Sequence, residues 1–123
     1  MHRLLVVDDE NDIRELIELT LRRKGYDVTG TGDPRAALAL ASEANFDAAL
    51  LDWSMPEMDG GELCARLREL PSMRDTPILI VTAYADTATR DRASAAGATA
   101  FLPKPFSLKR LAEVVADLLE PGA

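Results

Sequence analysis

The sequence predicts a single α/β domain in which a mostly parallel sheet carries helices on both faces. Its 123 residues suffice for one domain, and 47% of them are hydrophobic, which is enough for one core. Short apolar runs of strand length alternate five times with longer amphipathic stretches. This alternation is typical of parallel strands joined by right-handed helical crossovers. We therefore expect residues 1–123 to form one domain.

The N-terminal part predicts a strand, a helix and a second strand. Residues 4–7 are a short run rich in β-branched side chains, which is typical of a buried strand. Asn11 occupies the N-cap position of a helix with apolar residues at three- and four-residue spacing, and Gly25 supplies the C′ position that ends it. Residues 26–30 indicate a weaker second strand.

The next helix and strand have clear boundaries. Asp33 followed by Pro34 predicts a helix start, because a carboxylate caps the first turn and proline fits its first position. That helix runs to about Ala44. Residues 48–51 form a third apolar run that ends abruptly at Asp52.

After a loop over residues 53–59, Asp59 is placed to cap a third helix, with Glu62 completing a capping box. Residues 78–81 are the most hydrophobic run and predict the fourth strand. Asp86 is placed to cap a helix of marginal amphipathicity that ends at Gly97.

The last elements are a short strand over residues 99–102 and a helix capped by Ser107. The tail over residues 120–123 ends that helix.

Composition excludes several classes of function. There are 14 Lys and Arg against 21 Asp and Glu, a net charge of −7, which argues against direct nucleic-acid binding. The single cysteine, Cys64, excludes a disulfide framework and is expected in the core. No apolar run approaches the roughly 20 residues that span a bilayer, so we expect a cytoplasmic protein without membrane contact.

Polar residues follow four of the five predicted strands. They are Asp8, Asp9 and Glu10 after the first strand, Asp52 after the third, Thr82 after the fourth and Lys104 after the fifth. The carboxyl ends of parallel strands share one edge, where open α/β sheets bind their ligands. Singly, each residue has an ordinary structural explanation, as a helix-dipole partner, a turn former, a cap or a solvated charge. Their joint placement favours a site.

The chemistry of this set points to phosphoryl transfer. Carboxylates are the ligands that Mg²⁺ prefers, and they repel one another when no cation is present. A lysine and a hydroxyl are suited to hold phosphoryl oxygens, and an aspartate can itself be the nucleophile that forms an acyl phosphate. We therefore predict Mg²⁺-assisted transfer of a phosphoryl group to an aspartate.

Four segments carry a family resemblance over the whole chain. They read LLVVDDE at the start, LLDWSMPEMDG around Asp52, ILIVTAYAD around Thr82 and FLPKPF around Lys104. In their order and spacing the sequence resembles a response regulator receiver domain of two-component signalling. The resemblance implies a flavodoxin-like, doubly wound fold with five helices and a five-stranded parallel sheet in the order 2-1-3-4-5.

The resemblance also implies roles for residues around the acceptor. Asp52 would accept a phosphoryl group from a phosphohistidine. Asp9, Asp52 and the backbone carbonyl of Trp53 would ligate Mg²⁺ directly, and Asp8 would act mostly through metal-bound water. The side chain of Trp53 is expected to pack beside the site.

Further implied roles concern the response to phosphorylation. Lys104 would pair with the phosphoryl oxygens, and the Lys104–Pro105 bond would be cis. Thr82 would hydrogen-bond the phosphoryl group, and Phe101 would turn inward as Thr82 moves. This repacking would alter the face formed by the fourth helix, fifth strand and fifth helix, roughly residues 86–119.

The implied partners are a sensor histidine kinase or histidine phosphotransfer protein and a downstream protein target or output domain. We expect a monomer or a weak, phosphorylation-dependent dimer, and a switch rather than a multiple-turnover enzyme. An aspartyl-phosphate phosphatase is the main alternative, but Ser54 stands where its second aspartate would be. Tyr84 either shields the acyl phosphate from water or contacts partners. Residues 87–96 are expected to be the mobile element.

Overall fold

The computed structural model describes residues 1–84 and 86–120. Within them the strands are β1 (Arg3–Val7), β2 (Asp27–Thr31), β3 (Ala48–Asp52), β4 (Ile78–Thr82) and β5 (Ala100–Pro103). The α-helices are α1 (Asn11–Arg23), α2 (Pro34–Glu43), α3 (Gly60–Arg68), α4 (Thr87–Ala95) and α5 (Leu108–Leu119), and a 3₁₀ turn covers Pro71–Met73. The predicted tail at 121–123 lies outside the described residues.

The sheet is parallel throughout, in the order β2-β1-β3-β4-β5, which confirms the expected topology. Every residue of β3 and β4 is buried, as expected of central strands covered on both faces. In the register of the sheet, Asp52 lies opposite Val81 and Thr82 opposite Pro103. The polar residues at the strand ends therefore share one edge.

Two apolar layers hold the sheet. Alternate strand residues pack against α2, α3 and α4 on one face, namely Leu5, Val7, Ala49, Leu51, Ile78 and Ile80. Their neighbours pack against α1 and α5 on the other face, namely Leu4, Val6, Ala48, Leu50, Leu79 and Val81. No helix in the described ranges is long and apolar enough to cross a membrane.

Most predicted helix boundaries are confirmed. Four capping side chains, each accepting a backbone N–H of its helix, are Asp33, Asp59, Asp86 and Ser107. Gly25 and Gly97 adopt the left-handed conformation, with φ of +93° and +103°. The capping box is half formed, because the Glu62 carboxylate lies 3.5 Å from Arg66 of the next turn.

The prediction that Asn11 caps α1 is wrong, because α1 begins at Asn11 and Glu10 occupies the N-cap position. The side chain of Glu10 makes no capping hydrogen bond to the helix. Instead the Glu10 N–H donates to Oδ1 of Asp8 at 2.9 Å. Asp8 thus orders the start of the helix from outside it, and Glu10 is left free to face the sheet edge.

Arg68, to which the sequence assigned no role, joins three segments at the opposite edge of the sheet. Its Nη1 donates to the carbonyls of Met73 and Thr76, both at 2.6 Å. Its Nη2 donates to the carbonyl of Gly97 at 2.8 Å. One guanidinium therefore fixes the end of α3 to the chain entering β4 and to the chain entering β5.

We predict that Arg68→Met lowers the free energy of unfolding by about 2–4 kcal/mol, because several part-buried carbonyls lose their donor. Arginine and methionine have similar helix propensities, so the helix itself is little affected. Urea unfolding measures the change. The matched control is Arg66→Met, which removes only the exposed pair with Glu62 and should change stability by less than about 0.5 kcal/mol. Equal losses in the two variants would contradict this role for Arg68.

Candidate functional site

Three of the predicted site residues meet at the carboxyl edge of the sheet. Asp52 ends β3, Asp8 follows β1 and Lys104 follows β5. Nζ of Lys104 lies 3.4 Å from Oδ1 of Asp52 and 3.8 Å from Oδ2 of Asp8. The Lys104–Pro105 peptide bond is cis, as predicted. One ammonium group is thus shared between two carboxylates from neighbouring strands.

Both carboxylates are withdrawn from water. Asp8 is 3% exposed and Asp52 is 4% exposed. The pKa of Asp52 is raised to about 6, mainly by burial and next by the negative charge of Asp8, while Lys104 opposes the shift. Burial also raises the pKa of Asp8, while the hydrogen bond from the N–H of Glu10 and the positive charge of Lys104 lower it. Holding both groups ionised at neutral pH therefore costs free energy that an added cation would recover.

A third carboxylate at this edge belongs to Glu10. Carboxylate oxygens of Asp8, Glu10 and Asp52 lie within 4.8 Å of one another, and Oε1 of Glu10 is 4.0 Å from Nζ of Lys104. The sequence placed Glu10 at this edge but gave it no role at the metal. Two buried carboxylates and one exposed carboxylate around a single ammonium group fit Mg²⁺, a hard cation that takes oxygen ligands.

The other predicted metal ligands lie close by. Asp9 is exposed and lines a shallow depression of about 440 Å³ with Trp53, Ser54, Asp59 and Tyr84, among others. The carbonyl of Trp53 accepts the Gly60 N–H at 2.8 Å, which leaves its second lone pair available. The direct ligand roles of Asp9 and of the Trp53 carbonyl stay predictions.

Thr82 is buried and is bound within its own loop. Its hydroxyl oxygen accepts the N–H of Tyr84 at 2.9 Å. Its carbonyl accepts the N–H of Lys104 at 2.7 Å, so β4 directly positions the chain that carries the lysine. Tyr84 is 56% exposed and lines the depression.

Three further side chains pack around α4. Phe101 is half-buried, and the guanidinium of Arg90 lies 4.6 Å from its ring centroid. Trp53 is buried, as expected of a residue that packs beside the site, and the guanidinium of Arg92 lies 5.0 Å from its ring. Sequence reasoning missed both arginines. Cys64 is buried as expected; its thiol donates to the carbonyl of Ala96, and burial raises its pKa.

A buried aspartate beside a lysine and further carboxylates, at the carboxyl edge of a doubly wound sheet, defines an α/β domain suited to an anionic group and a divalent cation. Comparison with known families agrees with this class. The chain belongs to the response regulator receiver domain family, whose model matches residues 4–116.

Relatives and solved structures support the assignment. The chain is 38% identical over 117 residues to the transcriptional regulatory protein ResD of Bacillus subtilis, covering 95% of this chain and 48% of that protein. It superposes on the chemotaxis protein CheY4 of Vibrio cholerae with a TM-score of 0.94 at 36% identity, covering 97% and 99% of the two chains. The chain spans about half the length of the curated relatives it matches.

A third comparison bears on the metal. The receiver domain of sensor histidine kinase PA1611 from Pseudomonas aeruginosa has a magnesium ion coordinated in its active-site cleft. It matches this chain with a TM-score of 0.88 at 30% identity, covering 96% and 97% of the two chains. The acidic cluster of this chain is of the kind that would hold such an ion.

We predict that Asp52→Asn raises the free energy of unfolding by about 1–3 kcal/mol at pH 7.5 in EDTA, because it removes a carboxylate whose ionised form is unfavourable in the folded state. One unit of pKa shift corresponds to about 1.4 kcal/mol. The pKa of Asp52 is about 6 in the folded state and 3.8 ordinarily, so ionisation of this group is unfavourable for folding. At a pH above about 6 the full destabilising effect is present. The gain should disappear as the pH falls below the lower value, where both states hold the proton.

Urea unfolding across this pH range measures the effect, with Asp91→Asn on the exposed side of α4 as the charge-matched control. A gain that persists unchanged at low pH, or that Asp91→Asn reproduces, would show that the charge of Asp52 is not its source.

Proposed function

We propose that this domain is a phosphorylatable switch that accepts a phosphoryl group on Asp52 from a phosphohistidine of a sensor kinase or histidine phosphotransfer protein. The observation that carries the proposal is the buried Asp52 carboxylate with Nζ of Lys104 at 3.4 Å and a second buried carboxylate beside it. Membership of the receiver family supports it.

The proposed transfer is a single in-line displacement. An ionised oxygen of Asp52 attacks the phosphorus, the N–P bond of the donor breaks, and the released imidazole nitrogen takes up a proton from solvent. Lys104 moves its positive charge from the carboxylate to the phosphoryl oxygens. Asp8, Asp9 and the Trp53 carbonyl join Asp52 in holding Mg²⁺, which when bound offsets the charge that develops on these oxygens.

The proposed switch begins with a change of partner at Thr82. Its hydroxyl group, which now accepts the N–H of Tyr84, turns to donate to a phosphoryl oxygen. The loop after β4 follows, and Phe101 fills the space that Thr82 leaves. The face of α4, β5 and α5 over residues 86–119 changes as a result. Phosphorylation would shift a two-state equilibrium by its differential interaction with the two states.

We propose that the output of this domain is protein contact, with either a separate target or an output domain. The relatives are about twice as long, and one of them is named as a transcriptional regulator. That name weighs against the expectation that nucleic acid plays no part. The net charge of −7 argues against direct nucleic-acid binding only for the 123 residues of this chain. We also propose a monomer or a weak, phosphorylation-dependent dimer, and slow dephosphorylation rather than enzymatic turnover.

We predict that acetyl phosphate and Mg²⁺ add one phosphoryl group to the protein, as measured by intact mass. Asp52→Asn should abolish the adduct because the nucleophile is gone, and EDTA should abolish it because the charge on the phosphoryl oxygens is not offset. Asp91→Asn, a charge-matched variant on α4, should be labelled like the wild type. Labelling that survives in Asp52→Asn would refute the assignment of the acceptor. Rapid multiple turnover of unrelated phosphoesters would instead indicate a hydrolase.

We predict that Tyr84→Ala speeds loss of the phosphoryl group by about 3–10-fold, a barrier change of roughly 0.6–1.4 kcal/mol, because water gains access. Decay of the labelled protein after removal of acetyl phosphate gives the rate. Tyr84→Phe keeps the ring and should decay like the wild type. An unchanged rate in Tyr84→Ala would favour the other interpretation, in which the exposed ring contacts partners.

A further inference from the structure

Helix α4 has little apolar attachment to the rest of the domain. Of its nine residues, Thr87–Ala95, those that are buried are Thr89 and Ala93. Packing of an apolar face normally supplies most of the stability of a short helix. Two guanidinium groups instead lie against aromatic rings, Arg90 on Phe101 and Arg92 on Trp53. Stacking of this kind is worth about 0.5–1 kcal/mol at exposed sites and more where water is excluded.

The contact of Arg92 has two parts. Its guanidinium lies 5.0 Å from the ring of Trp53, and its Nη2 lies 3.3 Å from Oδ2 of Asp59. The other carboxylate oxygen of Asp59 accepts the N–H of Glu62 at 2.8 Å, which caps α3. One planar side chain from α4 therefore touches both the residue after the phosphoacceptor and the cap of the helix that follows it.

The segment that Arg92 contacts, from Trp53 to Asp59, packs directly against the backbone of Asp52. The N–H of Trp53 donates to the carbonyl of Val81 at 3.0 Å, and its carbonyl accepts the N–H of Gly60. A Cβ atom at Gly60 would lie 2.5 Å from the carbonyl oxygen of Asp52, so the first turn of α3 is pressed against the backbone of the acceptor. With so little free space, a shift of Asp59 or Trp53 also moves the peptide of Asp52.

We propose that Arg92 is a positioning residue that couples α4 to the phosphoacceptor loop, so that cation binding at Asp52 and the order of α4 depend on each other. The inference rests on the proposed function for the identity of the ligand. It describes a route separate from Thr82 and Phe101, and it runs through the ring of Trp53 and the cap of α3. Coupling between sites is reciprocal: an effect of α4 on cation binding requires an equal effect of the cation on α4.

Arg92→Lys is the informative variant, because it keeps the positive charge and removes the planar guanidinium that stacks on Trp53 and pairs with Asp59. Arg92→Gln would also remove a positive charge near an acidic pocket, and this change alone would favour Mg²⁺. With lysine, a change in Mg²⁺ affinity reports the geometry of the contact and not the local charge.

Two measurements test the coupling in the intact chain. Titration with MgCl₂, followed by the fluorescence of Trp53, the single tryptophan, gives the dissociation constant. Hydrogen exchange over residues 87–95, with and without Mg²⁺, gives the order of α4. In the wild type we expect Mg²⁺ to slow this exchange. In Arg92→Lys we expect faster exchange without metal, little protection by Mg²⁺, and a dissociation constant raised about 2–5-fold, in the range of modest allosteric coupling.

Two control variants separate the contact from general effects. Arg66→Lys makes the same change on the exposed side of α3 and should leave both measurements unchanged. Arg90→Lys loosens the same helix at Phe101 but keeps the contact of Arg92 with Trp53 and Asp59, so it should speed α4 exchange and change Mg²⁺ affinity clearly less than Arg92→Lys does. An equal loss of Mg²⁺ affinity in Arg90→Lys would overturn the proposal, since any loosening of α4 would then suffice.

The proposal can fail separately from the proposed function. Normal Mg²⁺ binding with unchanged affinity and unchanged α4 exchange in Arg92→Lys would overturn the coupling and leave the switch standing. Failure of the wild type to bind Mg²⁺ would overturn the proposed metal site, and the coupling with it.

Discussion

The burial of two mutually repelling carboxylates at one edge of the sheet is the constraint on which the rest of the site depends. Asp8 and Asp52 are each less than 5% exposed, and a single ammonium group, that of Lys104, lies within 4 Å of both. A fold can keep such a pair only if the surrounding sheet is stable enough to offset the cost. The fully buried strands β3 and β4 and the two apolar layers provide that stability.

The elements around this pair divide into rigid and adjustable parts. The start of α3 is held against the backbone of Asp52 by the close approach of Gly60, and the end of α3 is held by Arg68. Helix α4, in contrast, buries two residues, and its two arginines rest on aromatic rings. Phosphoryl transfer needs fixed geometry at the acceptor, whereas a switch needs an element whose alternative positions differ little in free energy. The proposed function would place these two demands on neighbouring helices.

Contacts between residues close in sequence could be predicted, whereas side-chain contacts between residues far apart in sequence could not. The caps at Asp33, Asp59, Asp86 and Ser107 depend on bonds two or three residues long, so the sequence was sufficient for them. The strand order came from the resemblance, and the convergence of Asp8, Asp52 and Lys104 followed from strand ends sharing one edge. The predicted cap at Asn11 is wrong because α1 already includes Asn11, with Glu10 at the N-cap position and its N–H bound to Asp8. The roles of Arg68 and Arg92 were not predicted because their contacts with Gly97 and Asp59 span about thirty residues. The nearer partners of Arg68, the carbonyls of Met73 and Thr76, are backbone groups that carry no side-chain pattern.

The shift at Asp52 also sets an energy scale for switching. Raising its pKa from 3.8 to about 6 corresponds to about 3 kcal/mol of unfavourable interaction. A ligand that relieved all of this in one conformation only would still fall short of the roughly 5.5 kcal/mol needed to reverse a 1:99 equilibrium. Relief of this cost, whose largest cause is the burial of Asp52, therefore produces only a partial shift. Under the proposed function the remainder would come from contacts that exist in one state only, at Thr82, at Lys104 and where α4 meets the loop after Asp52. Mutations at these contacts would then alter the extent of switching.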